Sequence, residues 1–105
     1  MSSVTSIDLA NLISEYLDTQ LEKIDNLRRY LESLTKDYTK AMRYEGKSWY
    51  TEDLISKIER NKFYISEKER LLTEFTDTVA HIGEGDFTKN CNKLQSIMNE
   101  IDMYG

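Results

Sequence analysis

The first 45 residues of this chain contain neither Pro nor Gly, the two residues that most strongly interrupt a helix. Over the same stretch, apolar residues recur at intervals of three and four, which places their side chains on one side of an α-helix. They are Leu9, Leu12, Ile13, Tyr16, Leu17, Leu21, Ile24, Leu27, Leu31, Leu34, Tyr38 and Met42. The sequence therefore predicts a helix near residues 6–43, about 57 Å long at 1.5 Å per residue.

A turn is predicted at the first Gly of the chain. Gly46 suits the left-handed conformation that commonly ends a helix, so we expect a positive φ angle there. Ser48 or Thr51 can then cap a second helix. Its apolar residues are Leu54, Ile58, Ile65, Leu72, Phe75, Val79 and Ile82. We predict this helix near residues 50–82, antiparallel to the first, because helices of this length are stabilised mainly by packing.

Two polar residues, Asn61 and Lys68, occupy positions of the second apolar stripe where apolar residues are expected. One interpretation is a polar layer that sets the register of the two helices. The other, which we favour from the sequence, is that the stripe drifts around the helix onto Phe63 and Leu71. Such drift is expected because a straight helix has 3.6 rather than 3.5 residues per turn.

A short third helix is predicted near residues 87–102. Gly83 and Gly85 interrupt the second helix, and Asp86 is a suitable N-cap. The apolar residues that follow at intervals of four and three are Phe87, Cys91, Leu94, Met98 and Ile101. A helix this short must pack on the hairpin or on a partner. We therefore predict an all-α fold in one domain, residues 1–105: a long antiparallel helical hairpin with a short C-terminal helix, resembling a bundle or coiled coil.

Composition narrows the possible functions. The net charge of −5 argues against binding nucleic acid by counterion release. The single Cys91 allows no intramolecular disulfide, and we expect it to pack as a small apolar residue. The single His81 has neither a second His nor a nearby Cys at metal-ligand spacing. No acid, base or nucleophile is paired in the sequence, so we predict a non-catalytic protein without a metal or cofactor.

The sequence also bears on location. No apolar run approaches the ~20 residues that a membrane span requires. The N-terminal residues lack a basic region followed by an apolar run, which argues against a cleaved signal peptide. We expect a cytoplasmic protein, or one secreted by a route that does not use a cleaved signal.

Aromatic residues are abundant, with seven Tyr, three Phe and one Trp. Five of them flank the predicted turn or lie in the first half of the second helix: Tyr44, Trp49, Tyr50, Phe63 and Tyr64. Tyr and Trp are enriched at protein interfaces because each combines a large apolar body with a polar group. We predict that Tyr44, Gly46 and Trp49 close the hairpin end as a structural latch. We further predict that Trp49 and Tyr50 border a partner-binding surface.

The turn Tyr44-Glu45-Gly46 lies near the middle of the chain, after Leu31-Glu32-Ser33-Leu34-Thr35 and before Lys47-Ser48-Trp49. In these features residues 5–82 resemble the WXG family, small helical hairpins exported by type VII secretion systems, which have a Trp-x-Gly turn at this place. Here Tyr44 stands where the family has Trp. The resemblance implies a non-catalytic protein that pairs through its hairpin, with itself or with a related helical partner.

Two functions stay open at this point. One is a helical protein-binding module or adaptor, of which a type VII secretion hairpin is the specific version. The other is a small inhibitor, encoded by a phage or mobile element, that binds and blocks one host protein. In either case we expect a dimer or a heteromeric complex, because the apolar stripes are wider than one hairpin can cover.

Overall fold

The computed structural model describes residues 6–104, which form three α-helices joined by two short turns. They are α1 (Ser6–Tyr44), α2 (Trp49–Ala80) and α3 (Phe87–Asp102). Helices account for 88% of the described residues, and α1 and α2 pack on each other as a hairpin. The predicted all-α hairpin with a short third helix is therefore confirmed. Residues 1–5 and 105 of the predicted single domain lie outside the described residues.

The turn between α1 and α2 is built from backbone conformation and a capping box. Gly46 has a φ angle of +70°, which confirms the predicted left-handed conformation. Ser48 is the N-cap of α2, and its Oγ accepts a hydrogen bond from the Thr51 backbone N–H at 3.3 Å. In return, the Ser48 backbone N–H donates to Thr51 Oγ1 at 2.8 Å. Of the two predicted caps, Ser48 is therefore the N-cap, and Thr51 lies at N3, where its side chain completes the capping box. Together they satisfy backbone donors that a helix start leaves free.

The hydrophobic core is thickest where all three helices meet, at the end of the hairpin away from this turn. Its buried members are Ile24, Ile65, Leu71, Leu72, Phe75, Leu94, Ile97 and Ile101. Nearer the turn, a smaller cluster of Leu34, Ala41 and Leu54 lies between α1 and α2 only. The third helix therefore packs on the hairpin and covers half of its length.

The predicted stripe of α3 is only partly correct. Leu94 and Ile101 are buried as expected, but Phe87 is 53% exposed, and the buried Ile97 was not in the stripe. The reason is that α3 lies against two helices at once. It therefore buries a wider face than the narrow heptad seam that the sequence indicated.

The polar residues of the α2 stripe are buried, contrary to the interpretation favoured from the sequence. Asn61 is 4% exposed and Lys68 is 1% exposed, whereas Phe63 is 53% exposed. Leu71 is buried, as the drift interpretation predicts, but Asn61 and Lys68 are buried as well. The Asn61 side-chain amide donates to the Leu27 backbone carbonyl at 2.6 Å, so its burial is compensated by a hydrogen bond to α1.

Lys68 joins all three helices. Its Nζ donates to Gln20 Oε1 of α1 at 3.0 Å and to the Ile101 carbonyl of α3 at 3.2 Å. That carbonyl lies in the last turn of α3, where a positive charge is favourable, and it also accepts a hydrogen bond from the Tyr104 backbone N–H at 3.2 Å. Burial, and then the charge of Lys23, lowers the pKa of Lys68, and Asp102 opposes the shift. The polar layer therefore sets the register of α1, α2 and α3 together.

We expect Gln20 and Lys68 to be strongly coupled in stability. Gln20→Met leaves the Lys68 ammonium short of an acceptor, and Lys68→Met leaves the Gln20 amide oxygen without its donor. Each should lower the free energy of unfolding by ~1–3 kcal/mol. The double variant should cost clearly less than the sum of the two, because it replaces the pair by apolar side chains of similar volume. Urea unfolding of the four proteins measures this cycle, and additive costs would contradict the coupling.

The stability contributed by Lys68 should depend on pH. Its pKa in the folded chain is lowered from 10.5, so the folded chain loses this proton at lower pH than the unfolded chain. Below 10.5 the unfolded chain then binds more protons, and the free energy of unfolding rises with pH. Relative to Lys68→Met, the wild type should therefore gain stability as the pH rises toward 10.5. Urea unfolding across this range checks the sign, and a constant difference would contradict it.

Two glycines provide a matched test of the turn. A Cβ added at Gly46 or at Gly83 would meet no atom within 4 Å, but only Gly46 of this pair has a positive φ. Gly46→Ala should therefore lower the free energy of unfolding by ~1–2 kcal/mol through backbone strain alone. Gly83→Ala should change it by less than ~0.5 kcal/mol. Thermal unfolding of both variants makes the comparison, and equal effects would show that the turn does not depend on Gly46.

Candidate functional site

α3 covers one side of the hairpin over only half of its length. On that side, the stretch between the end of α3 and the turn is open. Tyr104, just beyond α3, marks the boundary: its ring centroid lies 5.9 Å from Tyr64 and 5.8 Å from Phe63. Beyond it lie two shallow grooves between α1 and α2. The inner groove is lined by Leu27, Tyr30, Lys57, Arg60, Asn61 and Tyr64. The outer groove, beside the turn, is lined by Asp37, Lys40, Ala41, Tyr44, Glu45 and Tyr50.

We call these two grooves, with the adjoining rings of Trp49 and Phe63, the aromatic face. Trp49 contacts Tyr50 edge to face, with ring centroids 6.2 Å apart, and Phe63 contacts Tyr64 at 6.4 Å. From Tyr64 to Tyr50 the face extends about 21 Å along α2, at 1.5 Å per residue. Of the aromatic residues predicted to bind a partner, Tyr64 lines the inner groove, and Tyr44 and Tyr50 line the outer one. Phe63 and Trp49 adjoin the grooves through their contacts with Tyr64 and Tyr50.

Lys57 lines the inner groove. Its Nζ lies 3.0 Å from Asp53 Oδ2, and this hydrogen bond and charge raise the pKa of Lys57 against the opposing effect of desolvation. The two grooves lie on the same side of the hairpin. Their residues Tyr30, Asp37 and Tyr44 recur at seven-residue intervals along α1, as Tyr50, Lys57 and Tyr64 do along α2, and this spacing places each set on one side of its helix.

Of the predicted latch, Gly46 is confirmed as the left-handed turn residue, but the packing of Tyr44 and Trp49 over the hairpin end is wrong. Tyr44 is 75% exposed and Trp49 is 79% exposed, so neither packs across the end of the hairpin to close it. The turn needs no such cover, because the left-handed Gly46 and the Ser48–Thr51 capping box already reverse the chain and satisfy its backbone groups. The part of the prediction that places Trp49 and Tyr50 beside a partner surface stays a prediction.

One aromatic residue of the face, Tyr30, and the boundary residue Tyr104 were missed in the sequence. Tyr30 precedes the stripe residue Leu31 by one position and therefore lies at the edge of the stripe, where an exposed side chain is ordinary. Tyr104 follows the last residue of α3 and belongs to no periodic pattern. The positions of both rings follow from how the three helices pack on one another, and no spacing in the sequence indicates that packing.

The remaining candidates form no second polar site. Cys91 is half-buried and lines an apolar groove between α1 and α3, in keeping with a packing role. His81 is the exposed C-cap of α2, with Nδ1 at 3.0 Å from Glu84 Oε2 and Nε2 at 3.9 Å from Asp77 Oδ1. Within residues 6–104, no group of three or more His, Cys, Asp or Glu side chains is placed to hold a metal ion.

Two further findings concern the whole of the described chain. None of the helices between residues 6 and 104 combines the length and the apolar character needed to cross a membrane. Comparison with protein families, with curated proteins and with solved structures found no match to this sequence or fold. The case for a function therefore depends on the geometry of the aromatic face.

Proposed function

We propose that this protein is a non-catalytic helical protein-binding module and that the aromatic face is its binding surface. The observation that carries the proposal is the exposure of Trp49 and Tyr44 on a face that also contains Tyr30, Tyr50 and Phe63. Covering such rings removes a large apolar area from water, and Trp and Tyr contribute much of the energy of protein interfaces. Because Tyr44 and Trp49 are so exposed, they contribute little to the stability of the fold itself.

The covered half of the hairpin indicates what kind of partner the open half would bind. There, α3 lies on the same side, with Leu94, Ile97 and Ile101 buried in the core. An amphipathic helix is thus a shape that this side already accommodates. A helical partner, either a second copy of the chain or another helical protein, would continue the same packing beyond Tyr104.

The specific role that we propose within this class is that of a type VII secretion hairpin or its partner. It is supported by the position and chemistry of the turn, where Tyr44 and Gly46 take the places of the Trp and Gly of the family motif. The left-handed Gly46 is consistent with that motif. The third helix is a departure from the two-helix form of the family.

Trp49→Ala and Phe87→Ala form a matched pair that tests the binding role. Each residue is the first of its helix, after the N-caps Ser48 and Asp86, and each ring is exposed, but only Trp49 lies on the aromatic face. Both variants should keep the free energy of unfolding within ~0.5 kcal/mol of the wild type. Trp49→Ala alone should weaken partner binding, by ~2 kcal/mol or about 30-fold in Kd.

The measurement begins with affinity capture from the source organism, using wild type and both variants as bait, followed by mass spectrometry. Titration of the captured protein with each bait then gives the Kd values. Equal binding by the wild type and Trp49→Ala would place the binding surface elsewhere. A large loss of stability in Trp49→Ala would show that the ring has a structural role instead.

A further inference from the structure

The two grooves of the aromatic face carry net unpaired charges of opposite sign. Arg60 lines the inner groove and Asp37 lines the outer one. Within residues 6–104 neither side chain forms an ion pair. By contrast, Lys57, in the inner groove, is neutralised by Asp53. Lys40 and Glu45 also line the outer groove, and neither forms an ion pair among the described residues. The unpaired charge is therefore net positive in the inner groove, toward α3, and net negative in the outer groove, toward the turn.

The separation of these two charges follows from the pairing of α1 and α2. Asn61 of α2 donates to the Leu27 carbonyl of α1. Because the two helices are antiparallel, Arg60 lies at about the height of Arg28 along the hairpin. Asp37 lies about nine residues farther along α1, or about 14 Å toward the turn. Exposed apolar groups lie outside this pair at both ends. Phe63 is at the inner end, and Tyr44 and Trp49 are at the outer end.

We propose that the partner of the aromatic face is a second copy of this chain, packed antiparallel across a two-fold axis that passes midway between Arg60 and Asp37. The inference rests on the proposed protein-binding role of the face. In this arrangement Arg60 of each copy faces Asp37 of the other, and the two-fold axis produces the contact twice. A parallel arrangement would instead place Arg60 against Arg60 and Asp37 against Asp37, which like-charge repulsion disfavours.

The same axis also matches the apolar ends of the face. Phe63 of one copy lies opposite the end of the other copy that carries Tyr44 and Trp49, so exposed apolar groups cover one another. Lys40, in the outer groove, comes opposite the exposed ring of Phe63, a favourable cation–π arrangement. The open halves of two hairpins then form a four-helix bundle, and each end of the assembly keeps its own three-helix core.

A charge swap tests both the second copy and its orientation. Arg60→Glu and Asp37→Arg should each weaken dimerisation at least about tenfold, because each creates two like-charge contacts across the axis. The double variant, Arg60→Glu with Asp37→Arg, should restore a Kd within about threefold of the wild type, because both contacts re-form with reversed signs. Lys62→Glu is the matched control: it makes the same charge change on an exposed residue that lies 200° around α2 from Arg60.

Sedimentation equilibrium provides the readout. The wild type and the double variant should sediment at twice the 12.4 kDa of one chain, and Lys62→Glu should behave as the wild type. A wild type that stays at 12.4 kDa at its highest soluble concentration overturns the proposal. So does a dimer that the single swaps leave intact. If both single swaps weaken the dimer and the double variant does not restore it, the antiparallel arrangement is wrong.

If a charge-swap variant fails to fold, two cysteine variants test the same contact between Asp37 and Arg60. In a Cys91→Ser background, a mixture of Asp37→Cys and Arg60→Cys chains should form a disulfide-linked dimer under mild oxidation. Either variant alone should form far less, because identical positions lie about 14 Å apart along the axis of the bundle. Equal cross-linking in all three samples overturns the proposal. A monomeric chain that still captures another protein through Trp49 would overturn only the second copy and leave the proposed function standing.

Discussion

The buried ammonium of Lys68 is the contact on which the arrangement of the three helices depends. It is bonded to the side chain of Gln20 on α1 and to the last turn of α3 through the carbonyl of Ile101. Apolar contacts between helices tolerate a slip along the axis, whereas these hydrogen bonds are lost if any helix shifts by a turn. Burial lowers the pKa of Lys68, so the charge is retained against a desolvation cost. What the layer contributes is a defined register.

That register determines where α3 ends and therefore which part of the hairpin stays open. With Ile101 held at Lys68, Tyr104 falls against Tyr64 and Phe63. The remaining hairpin toward the turn has a seam of only Leu34, Ala41 and Leu54 between two helices. A two-helix layer covers less apolar surface than a three-helix one, so the aromatic side chains of this half face water. The candidate site is thus a consequence of a polar contact some distance from it.

A feature of this chain is that its exposed aromatic residues are not needed to build the turn beside them. Gly46 reverses the chain through its left-handed conformation, and the Ser48–Thr51 capping box begins α2. Both devices are local and use no ring. Tyr44 and Trp49 are thereby free to face outward at the end of a molecule 63 Å long. Because the residues that form the turn are not the exposed aromatic ones, Tyr44 and Trp49 can be substituted to test binding without unfolding the protein.

The sequence alone determined the helices, the turn and the caps, because each depends on neighbours within a few residues. The absence of Pro and Gly before Gly46, the positive φ of that residue, and the N-caps Ser48 and Asp86 were all readable from the chain. The tertiary structure alone decided that Asn61 and Lys68 are buried while Phe63 is exposed. It also decided that Tyr30, Tyr50 and Tyr64 share one face. The physical reason is that burial of a polar group depends on acceptors from distant helices, and a shared face depends on where the third helix packs. Neither is encoded in the spacing of residues along one helix.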